Sequence, residues 1–342
     1  MESSKISGRL PAAQPALLGP HYNGTIAPQH KTFARYAAAV LGFNLAVILW
    51  GAYVRASGSG AGCGNHWPLC NGVVMPHSPA IATLIEFTHR AMSGLDTLAI
   101  LWLLVWAYRA FPRGHAVRAG ATCSAIFLVT EALLGAALVK FEQVAQNASL
   151  SRAYWDSAHL VNTLALLASL TLTWWWARGG ERIQMRGRAA WLAALSLLLF
   201  VLLGMSGVVA ALGDTLFPAR SLAEGFRQDF NPVANVLLRL RLLHPMLAVV
   251  TACWLGFYGA LYRRWSLLGL VAAQVAAGGI NLLLLAPIWM QMVHLLLADL
   301  VWISLVLAVA HATCPAANPE AHAHWKLNPP SWPVTSTTSP MK

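Results

Sequence analysis

The stretch Ile85-Glu86-Phe87-Thr88-His89-Arg90-Ala91-Met92-Ser93-Gly94-Leu95-Asp96-Thr97-Leu98-Ala99-Ile100-Leu101-Trp102-Leu103-Leu104 decides the fold. It is an apolar run with a carboxyl and an imidazole near its start. About 20 such residues, rising 1.5 Å each in a helix, cross the hydrocarbon of a bilayer. At that rise His89 lies about 14 Å below the membrane boundary. A polar ring is costly at this depth and marks a functional position.

Runs of this kind occur at roughly 36–54, 80–108, 119–140, 153–177, 189–212, 233–262, 266–285 and 287–313. Gly278, Gly279 and Pro287 interrupt or end the seventh. The 342 residues are 57% hydrophobic and only 10% charged, against about 25% charged in a soluble domain. The reading is an all-α integral membrane protein with eight transmembrane helices.

The net charge of +11 invites a nucleic-acid reading, which its distribution excludes. Lys5, Arg9, Lys31 and Arg35 precede the first run, and Arg109, Arg113 and Arg118 follow the second. Arg178, Arg182, Arg186 and Arg188 follow the fourth, and Arg263 and Arg264 the sixth. The alternate loops mix Arg55, Lys140, Arg152, Arg220 and Arg227 with Glu142, Asp214, Glu224 and Asp229. Positive residues collect on the cytoplasmic side, so both termini are expected there, in a bacterial inner membrane. No cleavable secretory signal is expected in the first 35 residues. The tail after Cys314 has a composition expected to be disordered, with His322 and His324 solvated. The sequons at Asn23 and Asn147 are read as chance matches.

The runs divide into four plus four in repeating order. Glu86-Phe87-Thr88-His89-Arg90 in run two answers to Arg241-Leu242-Leu243-His244-Pro245 in run six. Glu131 stands four residues before Gly135 in run three, and Gln274 four before Gly278 in run seven. His159 in run four answers to His294 in run eight. Four crossings return the chain to its starting side, so two four-helix bundles would be related by a pseudo-twofold axis along the membrane normal. The expected division is a 1–35 tail, a 36–180 half, a 181–313 half and a 314–342 tail.

A lone transmembrane histidine is commonly a hydrogen-bonding group between helices. Four in register, one on each alternate helix, argue for ligands. Zinc and copper also take histidine pairs, but no third ligand repeats beside these, whereas heme needs only two axial imidazoles. Two bis-histidine hemes are therefore expected, one per half.

The halves differ around those histidines. Glu86 shares a helix face with His89, where it could stabilise positive charge or move protons at a macrocycle edge. Arg241 holds the equivalent place before His244 and could pair with a propionate; Arg55 and Arg90 are further candidate propionate partners. A reactive site in the first half and an electron-transfer or structural heme in the second are expected. The loop after the first run, Arg55 to Cys70, is rich in Gly and Ser. Cys63 and Cys70 are read as local and exposed on an oxidising surface, either as a structural disulfide or as a redox-active dithiol. Cys123, Cys253 and Cys314 are read as packing residues.

The run Gly51-Ala52-Tyr53-Val54-Arg55-Ala56-Ser57-Gly58-Ser59-Gly60-Ala61-Gly62-Cys63 resembles heme A synthase, as do Trp67-Pro68-x-Cys70 and Ile85 to Arg90. The likeness continues through His159, His244-Pro245, Gln274 with Gly279-Ile280-Asn281, and His294, over residues 36–313. The resemblance implies an eight-span enzyme that oxidises the C8 methyl of heme O, through an alcohol and a hydrated aldehyde, to the formyl group of heme A. It implies His89 and His159 as axial ligands of the substrate heme, Glu86 as the essential acid, and His244 and His294 as ligands of a resident heme b. It implies a disulfide between Cys63 and Cys70. The chain departs from some members of the family in lacking, over residues 213–232, their second cysteine pair. Glu131 stands where glutamine is expected by analogy with Gln274. The expected partners are heme O, a heme O synthase, an electron acceptor, membrane lipid and, in a homo-oligomer, a second copy of the chain. The alternatives are a diheme cytochrome b that only transfers electrons, and a transporter with histidine proton relays.

Overall fold

The computed structural model describes residues 28–77 and 79–314. Lys5, Arg9, Asn23, His322 and His324 lie outside them. Ten helices follow in order: α1 Pro28–Ala56, α2 Ile81–Ala110, α3 Ala116–Lys140, α4 Leu150–Ala177, α5 Gly187–Leu216, α6 Leu222–Asp229, α7 Val236–Arg241, α8 Leu243–Leu261, α9 Trp265–Leu283 and α10 Ile288–Ala312. Among the described residues eight stretches are long and apolar enough to cross a membrane, with α7 and α8 forming one. The chain is an all-α, multi-pass membrane protein.

Local chemistry explains where the helices begin, break and end. Ser149 caps α4 by accepting the Arg152 amide, and His115 caps α3 by accepting the Val117 amide at Nδ1. Burial, with His30 and Arg182 nearby, holds the His115 imidazole below its ordinary protonation range. The sixth crossing breaks between Arg241 and Leu243. Pro245 has no amide proton, and its ring crowds the carbonyl four residues back, which belongs to Arg241. The seventh crossing runs unbroken through Gly278 and Gly279, contrary to the sequence expectation, and stops at Leu283. Leu285 and Ala286 then take positive φ in the turn before Pro287. Helix α6 was not anticipated: it is short, and Ser221 caps it at the Glu224 amide.

In the first half α1 packs on α2, α2 on α3, α3 on α4, and α4 closes back on α1. The second half repeats this with α5, α8, α9 and α10. The halves meet where α4 packs on α5 and α10, and α1 on α10. Leu164 and Leu167 of α4 share one apolar core with Leu255, Tyr258, Trp302 and Leu305. The Trp302 indole donates to the Leu164 carbonyl at 2.8 Å, which satisfies a polar tip inside that core. Leu98, Trp102, Leu198, Val249 and Val275 point outward, as a lipid-facing surface requires. Cys123 and Cys253 are also exposed, so of the three free cysteines only Cys314 is a packing residue; burial raises its thiol pKa.

One face of the bundle carries the loop with Cys63 and Cys70 and the connection containing α6. The opposite face carries the arginine-rich turns at 111–115, 178–186 and 262–264.

Candidate functional site

The four histidines enter from the disulfide face, at similar depths. His89 lies eight residues after the start of α2, His159 nine into α4, His244 eight beyond the start of α7 and His294 six into α10. Each is half-buried. Every ring lies against a glycine of the preceding crossing. A Cβ on Gly51 would sit 2.8 Å from His89 Cε1, and one on Gly207 3.1 Å from His244 Cε1. A Cβ on Gly278 would sit 3.0 Å from His294 Cε1, and on Gly135 3.8 Å from His159 Cε1. At Gly51, Gly207 and Gly278 a side chain would crowd the ring, whereas at Gly135 a Cβ would make ordinary contact with His159.

His244 and His294 face each other with ring centroids 6.4 Å apart and planes at 89°. A metal–imidazole bond of about 2 Å, plus about 1.1 Å from nitrogen to ring centre, gives about 6.2 Å across one metal ion. The pair therefore has the spacing of two axial ligands on one iron. Among the described residues no group of three or more His, Cys, Asp or Glu is arranged to hold a metal ion. His89 lies within electrostatic reach of His159 and Glu131.

The neighbours of the four rings differ. Ser206 Oγ is 3.1 Å from His244 Nδ1, and Gln274 Nε2 is 3.3 Å from His294 Nε2. Glu131 Oε1 is 3.4 Å from His159 Nδ1. The Nδ1 atoms of His89, His159 and His294 are buried without a hydrogen bond, Glu131 meeting that of His159 only at ion-pair distance. Glu131, unexplained from sequence, thus lies beside a ring. The signal was its spacing, four residues before a glycine, shared with Gln274.

Glu86 is 3% exposed and fully engaged. Its Oε2 accepts the Cys63 amide at 2.8 Å, and its Oε1 accepts Arg90 Nε at 3.2 Å and Nη2 at 2.5 Å. Arg90 Nη1 donates onward to the carbonyls of His66 at 2.8 Å and Leu69 at 2.5 Å. Thr83 donates to the Gly62 carbonyl at 2.8 Å. The loop is thereby stitched to the first three turns of α2. Cys63 and Cys70 are joined in a disulfide. They are 0% and 1% exposed, so the expected exposed pair is buried, which hinders thiol exchange.

The three candidate propionate partners are differently employed. Arg90 is paired with Glu86, and Arg241 is held by Asp214 at 2.7 Å and Asp229 at 2.6 Å, closing the loop over the second half. Arg55 instead reaches across the halves to the Ala211 carbonyl at 3.1 Å, Thr215 Oγ1 at 3.2 Å and Gln291 Oε1 at 3.2 Å. Among the described residues no carboxylate lies within ion-pairing distance of Arg55, which leaves it the cation best able to take an incoming anion.

Residues 34–306 match a family described as cytochrome oxidase assembly protein (COX15-CtaA). Over 298 residues, 83% of this chain and 49% of the relative, the sequence is 49% identical to a protoheme IX farnesyltransferase of Thermus thermophilus. It is 40% identical over 114 residues to a heme A synthase of Alkalihalophilus pseudofirmus, covering 33% of this chain and 38% of that protein. It is 39% identical over 124 residues to a heme A synthase of Halalkalibacterium halodurans, covering 36% of this chain and 41% of that protein. The chain spans about half the length, or less, of these curated relatives.

Proposed function

This chain belongs to the COX15-CtaA family of cytochrome oxidase assembly proteins, and from that premise we propose that it is a heme A synthase, an oxidoreductase that converts the C8 methyl of heme O to a formyl group. The observation that carries the reading is the facing pair His244 and His294, 6.4 Å apart, in a chain whose relatives include heme A synthases.

In this reading His244 and His294 hold a resident heme b, and Ser206 fixes the His244 ring by its Nδ1, leaving Nε2 for the iron. That heme supplies one-electron redox chemistry when bound. His89 and His159 hold heme O as substrate in the first half. Arg55 neutralises a propionate between the halves. Glu86 would lie one turn from His89 in a buried pocket, where its carboxylate can stabilise positive charge at the methyl carbon and take up a proton; each of the two two-electron oxidations passes its electrons to the electron acceptor, and water supplies the oxygen.

The site would lie toward the outer face of a bacterial inner membrane, with both termini cytoplasmic, as the basic loops indicate. A heme O synthase is the proposed delivery partner. In support, the Thermus relative carries the name of a protoheme farnesyltransferase and is about twice the matched length.

The test is expression in a host that makes heme O but no heme A, followed by heme extraction and mass analysis. Heme A or its alcohol precursor is the expected product. Only heme b would favour the alternative, a diheme cytochrome b, for which the full engagement of Glu86 in loop fastening speaks. Absence of any bound heme would overturn both.

A further inference from the structure

Of the four imidazoles, His159 is the one that faces an anion. Glu131 Oε1 lies 3.4 Å from its Nδ1, and the carboxylate is locked there. Asn162 Nδ2 donates to Oε2 at 2.5 Å, and the Thr163 hydroxyl donates to Oε1. Asn162 is itself fixed, donating to the Phe127 carbonyl at 2.8 Å and accepting from Thr130 at 2.5 Å. Among the described residues no lysine or arginine lies within ion-pairing distance of Glu131, so its charge is directed at the histidine. At the equivalent place in the second half stands the neutral Gln274, and His244 has only the Ser206 hydroxyl.

We propose that Glu131 is a positioning residue that sets the electron-donor strength of His159, so that the two histidine pairs hold their hemes at unequal reduction potentials. The inference rests on the heme-ligand reading above. At 3.4 Å the Glu131 carboxylate is an ion-pair neighbour of Nδ1; closing to a hydrogen bond when heme is bound, it would accept the Nδ1 proton, fix the tautomer and raise the basicity of the ring. A more basic axial ligand stabilises the more positively charged ferric state and so lowers the potential. The first-half heme is therefore the lower in potential, with its electrons readily withdrawn, while the uncharged Ser206 and Gln274 at the His244 and His294 rings keep the second higher. If Glu131 merely tied α3 to α4, its charge would be irrelevant to either potential.

The test is a potentiometric titration of the purified full chain loaded with heme O, following the visible bands of each heme. The transition that disappears in His89→Ala belongs to the first half. Glu131→Gln keeps the shape and deletes the charge; it should raise that potential, leave the other unchanged and weaken heme O binding about tenfold. Thr163→Val removes a competing donor from Oε1 and should lower the first-half potential, which gives a reading of opposite sign should Glu131→Gln fail to retain heme O. Two bound hemes with the first-half potential unmoved in Thr163→Val, or unmoved in a heme-loaded Glu131→Gln, would overturn this inference alone. A wild-type chain that binds no heme would overturn the heme reading and the inference with it.

Discussion

Glu86 has two tasks, and a single substitution separates them. It fastens the disulfide loop through the Cys63 amide and Arg90, and in the proposed reaction it acts one helical turn from His89. Glu86→Gln keeps an oxygen for the Cys63 amide while removing the charge. Both hemes should be retained and heme A formation should fall by about a hundredfold or more. Heme stoichiometry and product analysis on the same preparation check this; loss of heme together with product would make Glu86 a fastener only. At this scale the sequence was legible where chemistry repeats at fixed spacing, as with His89, His159, His244 and His294. It was not legible where a partner comes from another segment. Nothing near Arg90 in the chain announces the His66 and Leu69 carbonyls, nor does the surrounding sequence pair Arg241 with Asp214 and Asp229. The burial of Cys63 and Cys70 was hidden for the same reason, because it depends on how the loop lies on α2.

Among the elements, the long apolar helices could be read from length and composition alone, to within several residues at each end. Helix α6 escaped because eight mostly polar residues carry no spanning signal. The loop 57–80 is the element with the narrowest tolerance. A Cβ on Gly62 would lie 2.5 Å from the Ala82 carbonyl carbon and 2.6 Å from the Thr83 nitrogen, and helix backbone cannot yield as a side chain can. Gly62→Ala should cost about 1–3 kcal/mol, the range for overpacking, and lower the melting temperature in detergent by several degrees. Gly42→Ala, inside α1 with nothing within 4 Å of its Cβ, serves as the control and should not lower the melting temperature, since alanine is the better helix former. Equal melts for the two variants would mean that the loop does not dock on α2 as described.

For the molecule as a whole, the alternation of basic and mixed loops predicts that the disulfide face lies outside. Val74→Cys, at an 81% exposed position, should react with an impermeant maleimide in intact cells, whereas Arg113→Cys should react only after permeabilisation. The reverse pattern would invert the topology. That the two halves close on themselves in the same order was foreseeable from the repeat. How they grip one another was not, since Arg55 to Gln291 and Trp302 to Leu164 join residues with no sequence relation. The glycine beneath each imidazole bears on ancestry. Four times, a ring on one crossing rests on a bare backbone of the crossing before it. One four-crossing unit already contains both ring-on-glycine contacts needed for a metal pair, so two copies of a shorter ancestor could have docked as a symmetric dimer before fusion. In the chain as it stands, one half has Ser206 and Gln274 at its histidine rings and the other has Glu131. Remote kin should therefore be recognisable by four glycine–histidine couples even where the carboxylates, cysteines and arginines have been exchanged.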